Sequence, residues 1–209
     1  MTTTARTVLL GAPAAFSALL WFHPMVGDYE GLSEVTTRFQ VVHVAMVLSL
    51  CLLALGMYVL LDGMRGRAAT LSRVALFPFV AFYVPYVAFE GIALGVLGQQ
   101  LNGLPPADRE AVAATLVEDF ARNPIVGEPS VFWALGSAAW IVVVVSAVLA
   151  FRRAGAPVRV QVLLGMSLLV GTHAPPLAPI GLLCFTAAGW ITVLARRRTV
   201  QKLEVAAIL

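Results

Sequence analysis

Charge is scarce in this chain. Only 12% of its 209 residues are Asp, Glu, Lys or Arg, against roughly 25% in an ordinary water-soluble domain. Cysteine is scarcer still. The two cysteines, Cys51 and Cys184, stand inside apolar blocks at no ligand spacing, which argues against a disulfide framework or a thiolate metal site and reads both as small buried residues. There is no Gly-rich phosphate loop, no Cys-x-x-Cys, no His-Glu-x-x-His and no long basic run. Nucleotide binding, thiol redox chemistry and zincin-type hydrolysis therefore lose their usual signatures, and the net charge of +3 does not point to nucleic acid.

Apolar residues are abundant instead. They make up 60% of the chain, with a mean hydropathy of +0.89. They fall into blocks at residues 8–22, 41–61, 74–97, 131–151, 158–172 and 179–195. A helix needs about 20 mainly apolar residues to cross the hydrocarbon of a bilayer. The blocks predict an all-α, polytopic membrane protein, a six-transmembrane-helix bundle forming a single integral membrane domain over residues 1–209. The first block is short, but Trp21, Phe22, His23 and Pro24 follow it rather than a small-x-small cleavage site. It reads as a retained helix.

Basic residues orient the spans. With the chain starting inside, the inner segments hold Arg6, Arg65, Arg67, Arg73, Arg152, Arg153, Arg159, Arg196, Arg197, Arg198 and Lys202, which is 11 of the 14 basic residues. Eight of the eleven acidic residues fall in the outer segments: Asp28, Glu30, Glu34, Asp108, Glu110, Glu118, Asp119 and Glu128. This bias predicts cytoplasmic N- and C-termini, with a bacterial plasma membrane as the expected compartment. In the long outer segment, Val112, Leu116, Val117 and Phe120 recur at helical spacing after Pro105-Pro106 and before Asn123-Pro124. They predict a short extracytoplasmic amphipathic helix at 106–121 that caps the bundle.

Glu90 is the one acidic residue in FPFVAFYVPYVAFEGIALG, residues 77–95. It lies sixteen residues beyond Val74, roughly 24 Å along a helix at about 1.5 Å per residue. A lipid-facing carboxylate at that depth costs several kcal/mol or takes up a proton, so Glu90 is expected to face the bundle interior as a proton carrier or base. Tyr83 and Tyr86 precede it by seven and four residues, on the same side of an α-helix. They are the candidate substrate-binding residues, and Pro78 and Pro85 can kink the span there. His23, His43 and His173 fall at the same outer level. His43 and His173 are the candidate ligands of a metal ion or a haem, although the sequence requires no cofactor. His23, beside Pro24, reads as a headgroup-facing residue.

Several classes fit this set. The first is a proton-coupled small-molecule transporter or permease with Glu90 as its carboxylate. The second is a membrane-embedded metal-dependent hydrolase or b-type haem protein built on His43 and His173. The third is a non-catalytic assembly or sensor subunit. The expected partners are the lipid bilayer and a small-molecule substrate, and the oligomeric state is open. Trp140, mid-span, reads as packing. Gly91 and Gly95 form a small-x-x-x-small pair of the kind that lets helices approach closely.

Overall fold

The computed structural model describes residues 2–26, 29–127, 129–172 and 174–208, with side chains described for all of these except 29–31, 114–118, 121, 199, 200 and 202–208. Every regular element among the described residues is helical. In chain order they are α1 (Thr3–Leu20), α2 (Tyr29–Leu60), α3 (Arg67–Asn102), α4 (Pro106–Ala121), α5 (Val131–Arg153), α6 (Val158–Thr172) and α7 (Leu177–Ile208). Five of them, α1, α2, α3, α5 and α7, are long and apolar enough to cross a membrane. The fifth block of the sequence forms only a shorter apolar helix, α-helical over Val158–Met166 and 3-10 over Ser167–Thr172.

Each apolar helix from α1 to α6 packs on the next apolar helix in sequence, and the ring closes where α7 meets α1. The outward faces are apolar. On α2, Val41, Val44, Leu48, Leu52 and Leu55 form a stripe that is 41–65% exposed. The opposite face, Val42, Met46, Leu50, Leu53 and Met57, is buried with Phe16, Phe79, Trp140, Val143 and Phe185. A helix apolar on both its inward and outward faces suits an apolar solvent. Cys51 belongs to the outward face and is exposed, not buried as its apolar block suggests; Cys184 is half-buried, and both are free thiols.

Glycine sets the closest approaches. A Cβ placed on Gly91, Gly95 or Gly98 of α3 would lie 1.8 Å from His43, 2.4 Å from Gln40 or 2.8 Å from Thr36 of α2. The two series run in opposite directions, so α2 and α3 are antiparallel and the glycines form the slot that the α2 side chains fill. Gly136 of α5 likewise abuts the backbone of Tyr83 on α3.

Arginines finish helices in this bundle. Helix C-termini leave carbonyls unpaired within the helix, and in apolar surroundings that is costly. Arg73 donates to the carbonyls of Leu61 and Met64, at 2.5 and 3.0 Å. Arg196 donates to those of Leu60 and Asp62, at 3.0 and 2.9 Å. Arg109 closes the end of α3 on Asn102 and Leu104, at 3.2 and 3.1 Å. The 3-10 end of α6 is completed from neighbouring helices: Trp140 Nε1 donates to the Ser167 carbonyl at 3.1 Å, and the Tyr83 hydroxyl to the Gly171 carbonyl at 3.0 Å.

Two helices contain π-helical turns, at Thr7–Gly11 and Phe79–Tyr83, and in both a proline follows two residues after the turn, Pro13 and Pro85. Proline has no N–H for the carbonyl four residues back, and its ring crowds that carbonyl. A widened turn just before it relieves the crowding without breaking the helix. A third π turn, Ala88–Ala93, contains Glu90 and Gly91. Helix α4 occupies the predicted 106–121 and packs on α2 and α3. Its Ala113 joins Leu32, Phe39 and Leu101 in a small apolar cluster, with Val112 against it.

Candidate functional site

The most concentrated chemistry lies where the ends of α1, α2 and α3 meet, at the end of the bundle that carries α4. After α1, the Phe22 and His23 amides donate to the Leu19 and Leu20 carbonyls, at 3.0 and 3.1 Å. The Arg38 guanidinium forks onto the Phe22 carbonyl through Nε at 3.0 Å and Nη2 at 2.7 Å. These bonds fold the turn back over α2. His23 is only 8% exposed, and its Nε2 lies 3.3 Å from Nε2 of the fully buried His43. Phe39 flanks both rings, with centroids 4.3 Å from His43 and 6.2 Å from His23.

The tautomer of His43 follows from its other nitrogen. Nδ1 lies 2.7 Å from the Phe39 carbonyl, and a carbonyl only accepts, so Nδ1 carries the proton. Neutral His43 then presents a lone pair at Nε2, toward His23. The His43 ring rests directly on the Gly91 backbone, where any side chain would overlap it. Beside Gly91 stands Glu90, half-buried, with its Oε2 shut off from solvent. On the same face of α2, one turn toward α4, Gln40 lies over Gly95 with its Nε2 buried and without a hydrogen-bond partner.

The predicted site residues fall as follows. His43 packs on Gly91, the chain neighbour of Glu90, at the α2–α3 seam. His173 lies outside the described residues, so the proposed His43–His173 pair has no geometry here. Tyr83 and Tyr86 are 1% and 0% exposed, with ring centroids 5.5 Å apart. Tyr83 gives its single hydroxyl proton to Gly171, which ties it to α6. The π turn at Ala88–Ala93 intervenes between the tyrosines and the far end of α3, so regular α-helical spacing does not by itself place them on Glu90.

His23 is the residue that sequence reasoning set aside. Its position next to proline suggested a headgroup-facing end, whereas the Arg38 fork on the Phe22 carbonyl turns it inward; Arg38, fifteen residues further along the chain, was the only available signal. Among the described residues, no three of His, Cys, Asp and Glu converge as a metal-binding group. A haem between His23 and His43 does not fit either. A porphyrin held between two trans imidazoles separates their centroids by far more than the 4.9 Å found here.

Arg38→Ala is expected to lower stability by ~1–2 kcal/mol through loss of the charged hydrogen bonds, read as a fall in the thermal midpoint in detergent. Arg38→Lys is expected to recover only part of it, because an ammonium lacks the planar fork. Compared with protein-family models, with curated proteins and with solved structures, the chain matches none.

Proposed function

We propose that the protein is a multi-pass permease that couples movement of a small polar solute to protons, with Glu90 as the proton-carrying carboxylate. The observation that carries this reading is the placement of Glu90. It sits in a π turn of a helix of spanning length, turned from lipid far enough to bury Oε2, at the seam where α3 meets the buried His43. A carboxylate kept inside an apolar bundle is costly, and that cost is met in membrane proteins chiefly at ion, proton and substrate pathways. The π turn is also the kind of helix irregularity that marks functional segments.

In this reading α6 is the sixth span. Nine α-helical residues and six 3-10 residues extend about 25 Å, close to the thickness of the hydrocarbon core. Both termini are then cytoplasmic, α4 is extracytoplasmic, and the His23–His43 pair and Glu90 lie toward the outer face of a bacterial plasma membrane. Tyr83 and Tyr86, on the same helix, shape the inner boundary of the solute path.

The test uses purified protein in proteoliposomes with an inwardly directed proton gradient, offered a mixture of small polar metabolites and read by mass spectrometry of the lumen. Wild type is expected to accumulate at least one solute, and an uncoupler to abolish that accumulation. Glu90→Gln keeps size and shape but cannot carry the proton; it is expected to reduce gradient-driven uptake at least tenfold while thermal unfolding changes little. Uptake that survives both the uncoupler and Glu90→Gln, or no uptake by wild type, overturns the reading.

A further inference from the structure

We infer that His23 and His43 form a binding site for a divalent transition-metal ion, bound through the two Nε2 atoms with its remaining coordination positions open. The proposal goes beyond the permease reading and does not depend on it, because binding is measured without flux.

The two Nε2 atoms are 3.3 Å apart. Two metal–imidazole bonds of about 2.0–2.1 Å meeting at a tetrahedral angle hold their nitrogens roughly 3.3–3.4 Å apart. The same distance is long for a hydrogen bond from N–H. Ring geometry separates the two cases further. A straight Nε2–H···Nε2 bond would put the ring centroids apart by the N···N distance plus two ring radii. The observed separation is 4.9 Å, with the planes at 61°, which is shorter than that sum. The rings therefore meet at an angle rather than end to end.

The surroundings also hold the rings as ligands are held. His43 donates from Nδ1 to the Phe39 carbonyl at 2.7 Å, the outer-shell bond that fixes a ligating imidazole's tautomer and orientation and raises its basicity. Its ring is seated on Gly91. His23 is held by the Arg38 fork on the preceding carbonyl. Imidazole favours zinc, copper, nickel and cobalt over magnesium or calcium, which take oxygen ligands. With no third protein ligand among the described residues, the site is of the open kind that exchanges its ion or admits another ligand, rather than a closed structural one.

The test is equilibrium dialysis of the full-length protein in detergent, stripped with chelator and freed of any affinity tag, against zinc chloride, with cobalt chloride as a spectroscopic probe. The expected result is one zinc per chain, displaced by copper and not by magnesium. Cobalt should give the visible absorption bands of a low-coordinate nitrogen-ligated ion. His23→Gln and His43→Gln are each expected to weaken zinc binding at least tenfold and to remove the cobalt bands. His23→Gln alters a turn rather than a helix interior, so it keeps the test open if His43→Gln does not fold; gel filtration checks both. No zinc bound by wild type, or unchanged zinc and cobalt binding in a folded variant, overturns the proposal. Zinc binding without proton-driven solute uptake upholds the metal site and removes the permease reading.

Discussion

Gly91→Ala is expected to be the most damaging small substitution in the chain. The added methyl would lie 1.8, 1.9 and 2.3 Å from Cγ, Cδ2 and Cβ of His43, distances at which no pair of carbons persists. Relief requires either that α3 move away from α2 or that the His43 ring swing out. The ring is held by the Phe39 carbonyl at 2.7 Å and faces His23 at 3.3 Å, so both routes break the candidate site. Overpacking of a tight interior costs about 1–3 kcal/mol and occasionally more, and this case is expected at the upper end or beyond. The measurement is thermal unfolding in detergent, with Gly165→Ala as the control. A Cβ on Gly165 meets nothing within 4 Å, and alanine there gains up to about 1 kcal/mol of helix propensity. Gly91→Ala combined with His43→Ala should recover much of the loss, because the two residues then no longer collide. Equal midpoints for Gly91→Ala and wild type would remove the close α2–α3 contact on which the site geometry stands.

Trp140→Ala is expected to cost about 3–5 kcal/mol, the range for deleting a large buried aromatic. The indole is 1% exposed, and its ring lies 4.8 Å from that of Phe79 on α3. Its Nε1 donates to the Ser167 carbonyl on α6, so one side chain joins α5, α3 and α6. Trp140→Phe keeps most of the volume but leaves that carbonyl without its donor, at a cost of about 1–3 kcal/mol. The two variants thus divide packing from hydrogen bonding. A Trp140→Phe midpoint as low as that of Trp140→Ala would show the bond, rather than the packing, to dominate.

Some elements were legible in the sequence because their causes are local. Pro106 and the Asn123-Pro124 pair bracket α4, and its predicted range of 106–121 matches the helix. Block positions located the long helices but not their ends. The third block begins at Val74, yet α3 begins at Arg67; α2 starts at Tyr29, well before Val41. Hydropathy changes where the solvent changes, whereas a helix continues through Thr36, Arg38 or Arg73 as long as its backbone bonds persist. The π turns were hidden for a related reason, since hydrogen-bond register is not a property of composition; only Pro13 and Pro85 hinted at them.

The site was half legible. Glu90 stood out by its chemistry and His43 by its depth, and Gly91 carried a close-packing signal with no indication of its partner. That His43 fills the Gly91 slot is a matter of how α2 and α3 come into register, which no spacing within either helix encodes. The inward turn of His23 depends on a side chain from another helix. Tyr83 shares α-helical spacing with Glu90, and its hydroxyl proton goes to the Gly171 carbonyl of α6.

The closed ring has a consequence for how the chain is made. Almost every helix finds its packing partner in the segment synthesised just before or after it, so assembly can follow insertion step by step, with short loops to close at each stage. One seam is different. Ser17 donates to the Pro179 carbonyl at 3.0 Å across 162 residues, and the Leu9–Leu10 turn packs on Gly189. The α1–α7 seam can form only after α7 has been translated, so a nascent chain holds the inner face of α1 uncovered on that side until then.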